Sequence, residues 1–110
     1  MIDLQAAAAV ELELSPVPSE QVLAGNPSTG FAPLGLIGGN EFGVWEMTSG
    51  AMSDVEVEEL FVVVAGRGTL RIGDEIRELE PGSVGRFAGG EQTEWVVTER
   101  LRKVYVAGTE

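Results

Sequence analysis

The sequence of 110 residues contains no histidine and no cysteine. The lack of cysteine excludes disulfide bonds, thiolate metal sites and cysteine nucleophiles. The lack of histidine removes the commonest metal ligand and the base of a Ser-His-Asp triad. Tight sites for iron, zinc, copper or nickel are therefore not expected, and we predict a protein that works without a metal or another cofactor.

Basic residues are also scarce. The sequence has seven Lys and Arg residues but 18 Asp and Glu residues, which gives a formal net charge of −11. Nucleic acids and anionic membranes bind basic surfaces, so neither is an expected partner. No apolar run approaches the roughly 20 residues of a membrane span, and Asp3 stands where a signal peptide would carry positive charge. Together with the lack of cysteine, these features predict a cytoplasmic protein.

The apolar residues that are present, 44% of the chain, suffice for one compact core. The length lies within the commonest range for domains, so we expect a single domain over residues 1–110, with residues 1–9 as a lead-in segment. Short apolar or alternating stretches separated by Gly and Pro turns are typical of an all-β sandwich or barrel. Strands are predicted at residues 10–14, 31–39, 42–50, 59–65, 69–72, 75–79, 83–87, 93–98 and 100–108.

Turn residues set the predicted strand boundaries. Pro16 and Pro18 should end the first strand, since proline cannot donate a hydrogen bond to a ladder. Residues 66–68 (Gly-Arg-Gly) are predicted as a hairpin turn, and residues 73–74 (Gly-Asp) as the next one.

Four segments in one order resemble a known family. They are GVWEMTSG (43–50), VEVEELFVVVAGRGTL (55–70), LEPGSVGRFAGGEQTEWVV (79–97) and RKVYV (102–106). Together they resemble a small single-domain cupin of the group that includes ureidoglycine-aminohydrolase-like and ethanolamine-utilisation-like cupins. The resemblance implies an all-β double-stranded β-helix, or jelly-roll barrel, with its core at residues 43–108.

The sequence departs from the cupin pattern at the metal ligands. The first cupin motif presents two histidines and a glutamate, and Glu59 stands in the matching Glu-x6-Gly frame. The missing histidines would fall at Met52 and Asp54 or at Ser53 and Val55 in the first motif, and at Thr93 in the second. An oxygen-only site from Asp54, Glu56 and Glu59, suited to magnesium or manganese, is the alternative to a metal-free barrel.

Glu59 is the pivotal residue. By alternation it shares a face with Phe61 and Val63, while Leu60, Val62 and Val64 take the other face. The resemblance puts the Glu59 face inside the barrel, where a carboxylate needs a partner. The candidates are an inward Arg71 or Arg86, a tyrosine hydroxyl or a ligand. Glu59 is accordingly interpreted as half of a structural salt bridge, as a base or ligand anchor with a raised pKa, or as an exposed side chain.

The aromatic residues complete a candidate pocket. Trp45 and Trp95 lie on predicted strands and either pack in the core or form a platform for a flat ligand. Tyr105, the only tyrosine, is a candidate proton donor or acceptor. The predicted ligand-binding residues are Trp45, Glu59, Phe61, Arg71, Arg86, Thr93 and Trp95.

Two functions from different classes remain. The first is a metal-free binding protein, a sensor or accessory factor for a small polar metabolite. It would be a homodimer formed through the apolar outer face of Leu60, Val62 and Val64. The second is a metal-independent isomerase, epimerase or lyase, whose acid–base pair would be Glu59 with Tyr105 or Asp54.

Overall fold

The structure, a computed structural model, describes residues 2–108 and consists almost entirely of β-strands. The strands are β1 Ser15–Pro16, β2 Val22–Ala24, β3 Ser28–Ile37, β4 Asn40–Met47, β5 Gly50–Val55, β6 Glu59–Ile72, β7 Glu75–Leu79, β8 Val84–Phe87 and β9 Gln92–Ala107. A single turn of 3-10 helix at Ala7–Ala9 precedes them. Within the described range, no helix has the length and apolar character needed to cross a membrane.

All nine strands belong to one curled sheet, in the order β1-β3-β4-β9-β5-β2, with β6 pairing β7, β8 and β9. The first half of β9 pairs with β5 and its second half with β4, while β6 runs beside both halves. Residues 93–98 and 100–108, predicted as two strands, thus lie in this one strand, except that it ends at Ala107. Because β9 bends between two sets of partners, the sheet closes around a core, which confirms the predicted all-β barrel.

Strand β6 continues where the sequence predicted a hairpin turn, so that prediction is wrong. Residues 66–68 lie inside the strand, and its pairing with β9 shifts register three times between Val63 and Gly68. Gly66 has a φ of +91°, and a Cβ there would lie 2.1 Å from the carbonyl oxygen of Arg100. The glycines therefore permit a bend with close backbone approach rather than a reversal of the chain.

This bend also changes which side chains of β6 face the core. Before it, Phe61 is buried and Leu60 is 46% exposed, as alternation from Glu59 predicts. Beyond it, Leu70 is buried and Arg71 is exposed. A strand of uninterrupted period two would put Arg71 on the face of Phe61. The bend reverses that assignment, because a shift by one residue moves every later side chain to the other face.

Residues 10–14 do not form the predicted strand. The nearest pairing is that of the two-residue β1 with β3, and it includes Pro16 instead of ending before it. Arg102 of β9 donates from Nη1 to the carbonyl oxygens of Ala7 and Val10, at 2.9 and 2.6 Å. A side chain thus supplies donors that a neighbouring strand would otherwise supply, so the segment stays next to the sheet without joining it.

The core lies on the concave side of the curled sheet. Its buried hydrophobic cluster consists of Val17, Met47, Met52, Phe61, Val63, Leu70, Leu79, Phe87, Trp95, Val97, Leu101 and Tyr105. Trp95 is 1% exposed, and its ring centroid lies 5.8 Å from that of Phe61 and 6.2 Å from that of Phe87. Trp95 therefore packs in the core, one of its two predicted roles.

We expect Gly66→Ala to destabilise the protein far more than Gly73→Ala. Both glycines have positive φ, +91° and +61°, so alanine is strained at each, by about 1–2 kcal/mol. Only at Gly66 would the new Cβ also meet backbone atoms, since nothing lies within 4 Å of it at Gly73. Urea unfolding should show a loss of about 3 kcal/mol or more for Gly66→Ala. Equal losses at the two positions would contradict the close approach in β6.

Candidate functional site

The inner face of the sheet borders a cavity of about 260 Å³. Its charged and aromatic lining comprises Phe31, Trp45, Asp54, Glu56, Glu59, Trp95, Lys103 and Tyr105. Strands β3 to β6, the β5–β6 connection and β9 supply these residues. The structure thus brings together six residues that the sequence singled out: Trp45, Asp54, Glu56, Glu59, Trp95 and Tyr105.

Lys103 lies at the centre of the site. It stands opposite Trp45 in the β4–β9 ladder and is only 4% exposed. Its Nζ lies 2.5 Å from Glu59 Oε2 and 4.7 Å from the ring centroids of Trp45, Phe61 and Trp95. The carboxylate and the negative faces of three rings together compensate the ammonium group for its lost hydration.

Sequence reasoning missed Lys103, although one signal pointed to it. Leu101, Lys103 and Tyr105 are all buried, as alternating residues on the inner face of β9. The sequence had already placed Tyr105 in the pocket, and a residue two positions earlier in a strand shares its face. Lysine is almost never fully buried unless it is paired, and for this reason Lys103 was not expected on the inner face.

Arg71 and Arg86 both face outward, so neither is the arginine partner considered for Glu59. Arg71 follows the bend in β6, and its Nε donates to a backbone carbonyl of the next turn at 2.8 Å. Arg86 stands opposite Leu60 and shares its outer face, with Nη2 3.6 Å from Glu58 Oε2. Their predicted ligand-binding role therefore does not extend to this cavity.

Glu56 is a second buried carboxylate at the site, held by two side chains. It is 8% exposed, and its Oε2 accepts hydrogen bonds from Thr93 Oγ1 at 2.7 Å and Trp95 Nε1 at 3.0 Å. Burial raises the pKa of Glu56, against the opposing effect of these two hydrogen bonds and of the nearby Lys103 ammonium. Thr93 and Trp95 thus position a carboxylate at the cavity wall.

Tyr105 and Asp54 line the same cavity but bind other partners than Glu59. The Tyr105 hydroxyl donates to Glu41 Oε2 at 2.7 Å. Burial, followed by the effect of the Glu41 carboxylate, raises the pKa of Tyr105 well above its usual range. Asp54 Oδ1 accepts the backbone N–H of Val55 at 2.8 Å. The two predicted acid–base pairs are therefore neighbours at one cavity without a direct hydrogen bond.

A larger hollow of about 620 Å³ adjoins the barrel cavity, since Asp54 lines both. Its lining residues, which include Gln21, Ser53, Arg71 and Glu94, contain no aromatic side chain. Small-molecule sites are usually concave and partly apolar, with a few convergent polar groups. The smaller barrel cavity fits this description better, so we place the candidate site there.

The family model of the EutQ-like cupin domain matches residues 34–105 of the chain. The chain belongs to the EutQ-like cupin family. This membership confirms the predicted resemblance to ethanolamine-utilisation-like cupins and the predicted cupin fold. No curated protein is significantly similar to this cupin in sequence.

Several solved structures share the fold. The Clostridium difficile EutQ protein has a TM-score of 0.66 and 16% identity, over 74% of this chain and 68% of that chain. A protein of unknown function from Pseudomonas syringae pv. tomato has a TM-score of 0.76 and 22% identity, over 89% of this chain but 44% of that chain. Ectoine synthase from P. lautus has a TM-score of 0.66 and 16% identity, over 84% of this chain and 67% of that chain. At these identities the likeness shows the fold alone.

The donor groups of this cupin do not fit a metal ion. Lys103 already binds a Glu59 oxygen, and Thr93, at the position expected for the second-motif histidine, donates to Glu56. Across residues 2–108, no three or more acidic side chains are arranged to hold a metal. The oxygen-only alternative built from Asp54, Glu56 and Glu59 therefore has no support in the geometry.

We expect Lys103→Met to destabilise the fold strongly, because it leaves the Glu59 carboxylate buried without its partner. Removing one member of a buried pair costs about 3–5 kcal/mol. Glu59→Gln should cost a similar amount for the same reason. The double variant should recover part of the loss, with a coupling energy above about 1 kcal/mol in a cycle of urea-unfolding measurements.

The Arg67–Glu80 pair provides the control for this cycle. Its N–O distance is 3.1 Å, and the two side chains are 56% and 58% exposed. Arg67→Met, Glu80→Gln and the double variant should show a coupling of about 0–1 kcal/mol, as exposed pairs do. Equal coupling in the two cycles would contradict the central role of the Lys103–Glu59 pair.

The Glu56 carboxyl makes stability depend on pH. Its pKa in the folded state is raised above the ordinary 4.5, so the folded protein binds more protons than the unfolded chain at pH values between the two. The stability that Glu56 contributes is therefore present in acid and declines as pH rises through the folded pKa. Glu56→Gln should remove this decline, whereas the exposed Glu78→Gln should keep it.

Urea unfolding between about pH 4 and pH 8 measures this difference. The free energy of unfolding of Glu56→Gln should rise relative to that of the wild type as the pH increases. A constant difference across the range would show that burial leaves the pKa of Glu56 unchanged.

Proposed function

We propose that this cupin binds a small polar metabolite in its barrel cavity without a metal, as a sensor or accessory protein. The observation that carries the proposal is a cavity whose polar groups are oriented by the protein itself. The pairs that hold them are Lys103 with Glu59, Glu56 with Thr93 and Trp95, and Tyr105 with Glu41. Such preorganisation reduces the cost of ordering side chains when a ligand binds.

The size and lining of the cavity favour a small ligand. Its volume of about 260 Å³ lies just below the range of roughly 300–1,000 Å³ that is typical of drug-sized ligands. The half-buried Trp45 and the exposed Phe31 offer aromatic surface at its wall. Trp45 therefore remains a candidate stacking platform as well as a wall of the site around Lys103.

The alternative is a metal-independent isomerase, epimerase or lyase that uses Glu59 with Tyr105 or Asp54. In its favour, all three side chains line one cavity. Against it, Glu59 is bound to Lys103 and Tyr105 to Glu41, whereas an acid–base catalyst needs groups within hydrogen-bond reach of its substrate. The binding function is therefore preferred.

The proposed assembly is a homodimer through the outer face of β6 and β8. Leu60 is 46% exposed, and Val84, which stands opposite Val62, is 68% exposed. Val84 thus extends the apolar face of Leu60, Val62 and Val64 predicted from the sequence, and burying this face would favour association. A cytoplasmic location and a single domain over residues 1–110 stay predictions.

A thermal-shift screen of small polar metabolites tests the binding function. We expect at least one compound to raise the melting temperature, by an amount that reflects about 2.7 kcal/mol at a hundredfold excess over Kd. Phe31→Ala should weaken the shift, since Phe31 lines the cavity and is 59% exposed, so its loss perturbs the fold little. Leu36→Ala is the control, because Leu36 lies on the same strand and is 67% exposed.

Two outcomes would redirect the proposal. A compound that stabilises wild type and Phe31→Ala equally binds outside the cavity, which would contradict this site. A compound that is chemically converted during NMR measurements, in wild type and Leu36→Ala but not in Tyr105→Phe, would favour the enzyme alternative.

A further inference from the structure

We infer that the ligand of the barrel cavity is a cation, a small molecule with an amine or ammonium group. Such a ligand presupposes the binding function proposed for the cavity and specifies its chemical class. The charged lining of the cavity consists of the carboxylates of Asp54, Glu56 and Glu59 and the ammonium of Lys103, a formal charge of −2. An anion would therefore meet net repulsion at this site, whereas a cation would be attracted.

The one positive group of the lining is already neutralised. Lys103 Nζ binds Glu59 at 2.5 Å and lies against the faces of Trp45, Phe61 and Trp95, each 4.7 Å away. An anionic ligand would have to compete with Glu59 for this ammonium, and the carboxylate would then be left without its partner. The Lys103 ammonium is therefore not available to a ligand. Asp54 and Glu56 carry the charge that a ligand would meet.

The Oε1 oxygen of Glu56 has no hydrogen-bond partner among the described residues. The residue is 8% exposed, yet both of its side-chain hydrogen bonds end on Oε2. In the described part of the chain, no side-chain oxygen is fully enclosed without a partner. Oε1 is therefore at least partly accessible, and Glu56 lines both this cavity and a neighbouring hollow beside Gly89 and Gly90. A ligand ammonium at this oxygen would complete the hydrogen bonding of a buried carboxylate.

The aromatic lining suits a cation as well. Lys103 already shows how an ammonium group sits against the rings of this site. Phe31, 59% exposed, lines the same cavity and leaves part of its ring free for a ligand. At longer range, the net charge of −11 raises the local concentration of cations and lowers that of anions. The charge of the lining, the free aromatic surface of Phe31 and the net negative charge of the protein therefore all favour a cationic ligand.

Compounds of matched shape test the sign of the ligand charge. The probes are 1,4-diaminobutane, butane-1,4-diol and succinate, which share a four-carbon chain, and choline with its neutral isostere 3,3-dimethylbutan-1-ol. Ligand-observed NMR titrations on the wild type should show that the two cations bind about tenfold or more tightly than their neutral counterparts, with no binding of succinate. Tighter or equal binding of a neutral or anionic probe would overturn the inference.

Charge-removing variants locate the binding. Asp54→Asn and Glu56→Gln should each weaken cation binding by about tenfold. Asp74→Asn and Glu78→Gln remove the same charges from exposed positions that do not line the cavity, and they should leave the affinity unchanged within about twofold. Equal weakening in both sets would assign the effect to the overall field and would also overturn the inference.

The results separate this inference from the binding function itself. If a neutral or anionic compound from the metabolite screen binds and Phe31→Ala weakens it, the cavity binds ligands and only the cationic class is wrong. If the cations bind with equal affinity to wild type and Phe31→Ala, the binding is elsewhere and the cationic class is wrong for this cavity.

Discussion

The buried ion pair of Lys103 and Glu59 is the interaction on which the rest of this structure depends. It joins the two longest strands, β6 and β9, which are neighbours in the sheet, on the inner face, with N–O contact at 2.5 Å. Three aromatic rings surround the ammonium, so hydrophobic packing and charge compensation occur in the same place. The pair also explains how Glu59 is accommodated inside a cupin whose donor groups do not fit a metal: the ammonium group of Lys103 compensates its charge.

An ion pair between strands also occurs on the outer side of β9. Arg102 and Lys103 are consecutive, so their side chains leave the strand on opposite faces. Outside, Arg102 binds the buried Glu46 at 2.7 Å and holds the N-terminal segment through backbone carbonyls. Inside, Lys103 binds Glu59. Arg102 and Lys103 are thus paired with carboxylates from neighbouring strands, β4 and β6, which ties β9 to its partners on each face of the sheet.

Much of the fold was predictable from local pattern. Alternation through residues 59–63 assigned the inner and outer faces correctly, and the Gly73-Asp74 turn joins β6 to β7 as expected. The errors share one cause. Residues 66–68 contain turn-forming residues but lie in a bent strand, and residues 10–14 alternate as a strand does but find no partner. Whether such a segment turns, bends or pairs depends on the backbone beside it, which a local pattern does not contain.

The sequence by itself determined the all-β cupin barrel, the absence of imidazole and thiol chemistry, and the presence of one conspicuous carboxylate in the first motif. Only the tertiary structure decided which cation meets that carboxylate. Glu59 and Lys103 are 44 positions apart, and their contact follows from the register of β6 against β9. The bend at Gly66 turns Arg71 outward, while the uninterrupted alternation at the end of β9 keeps Lys103 inside. Sequence pattern specifies the faces of single strands, but which charges meet on the inner face depends on how strands far apart in the sequence align.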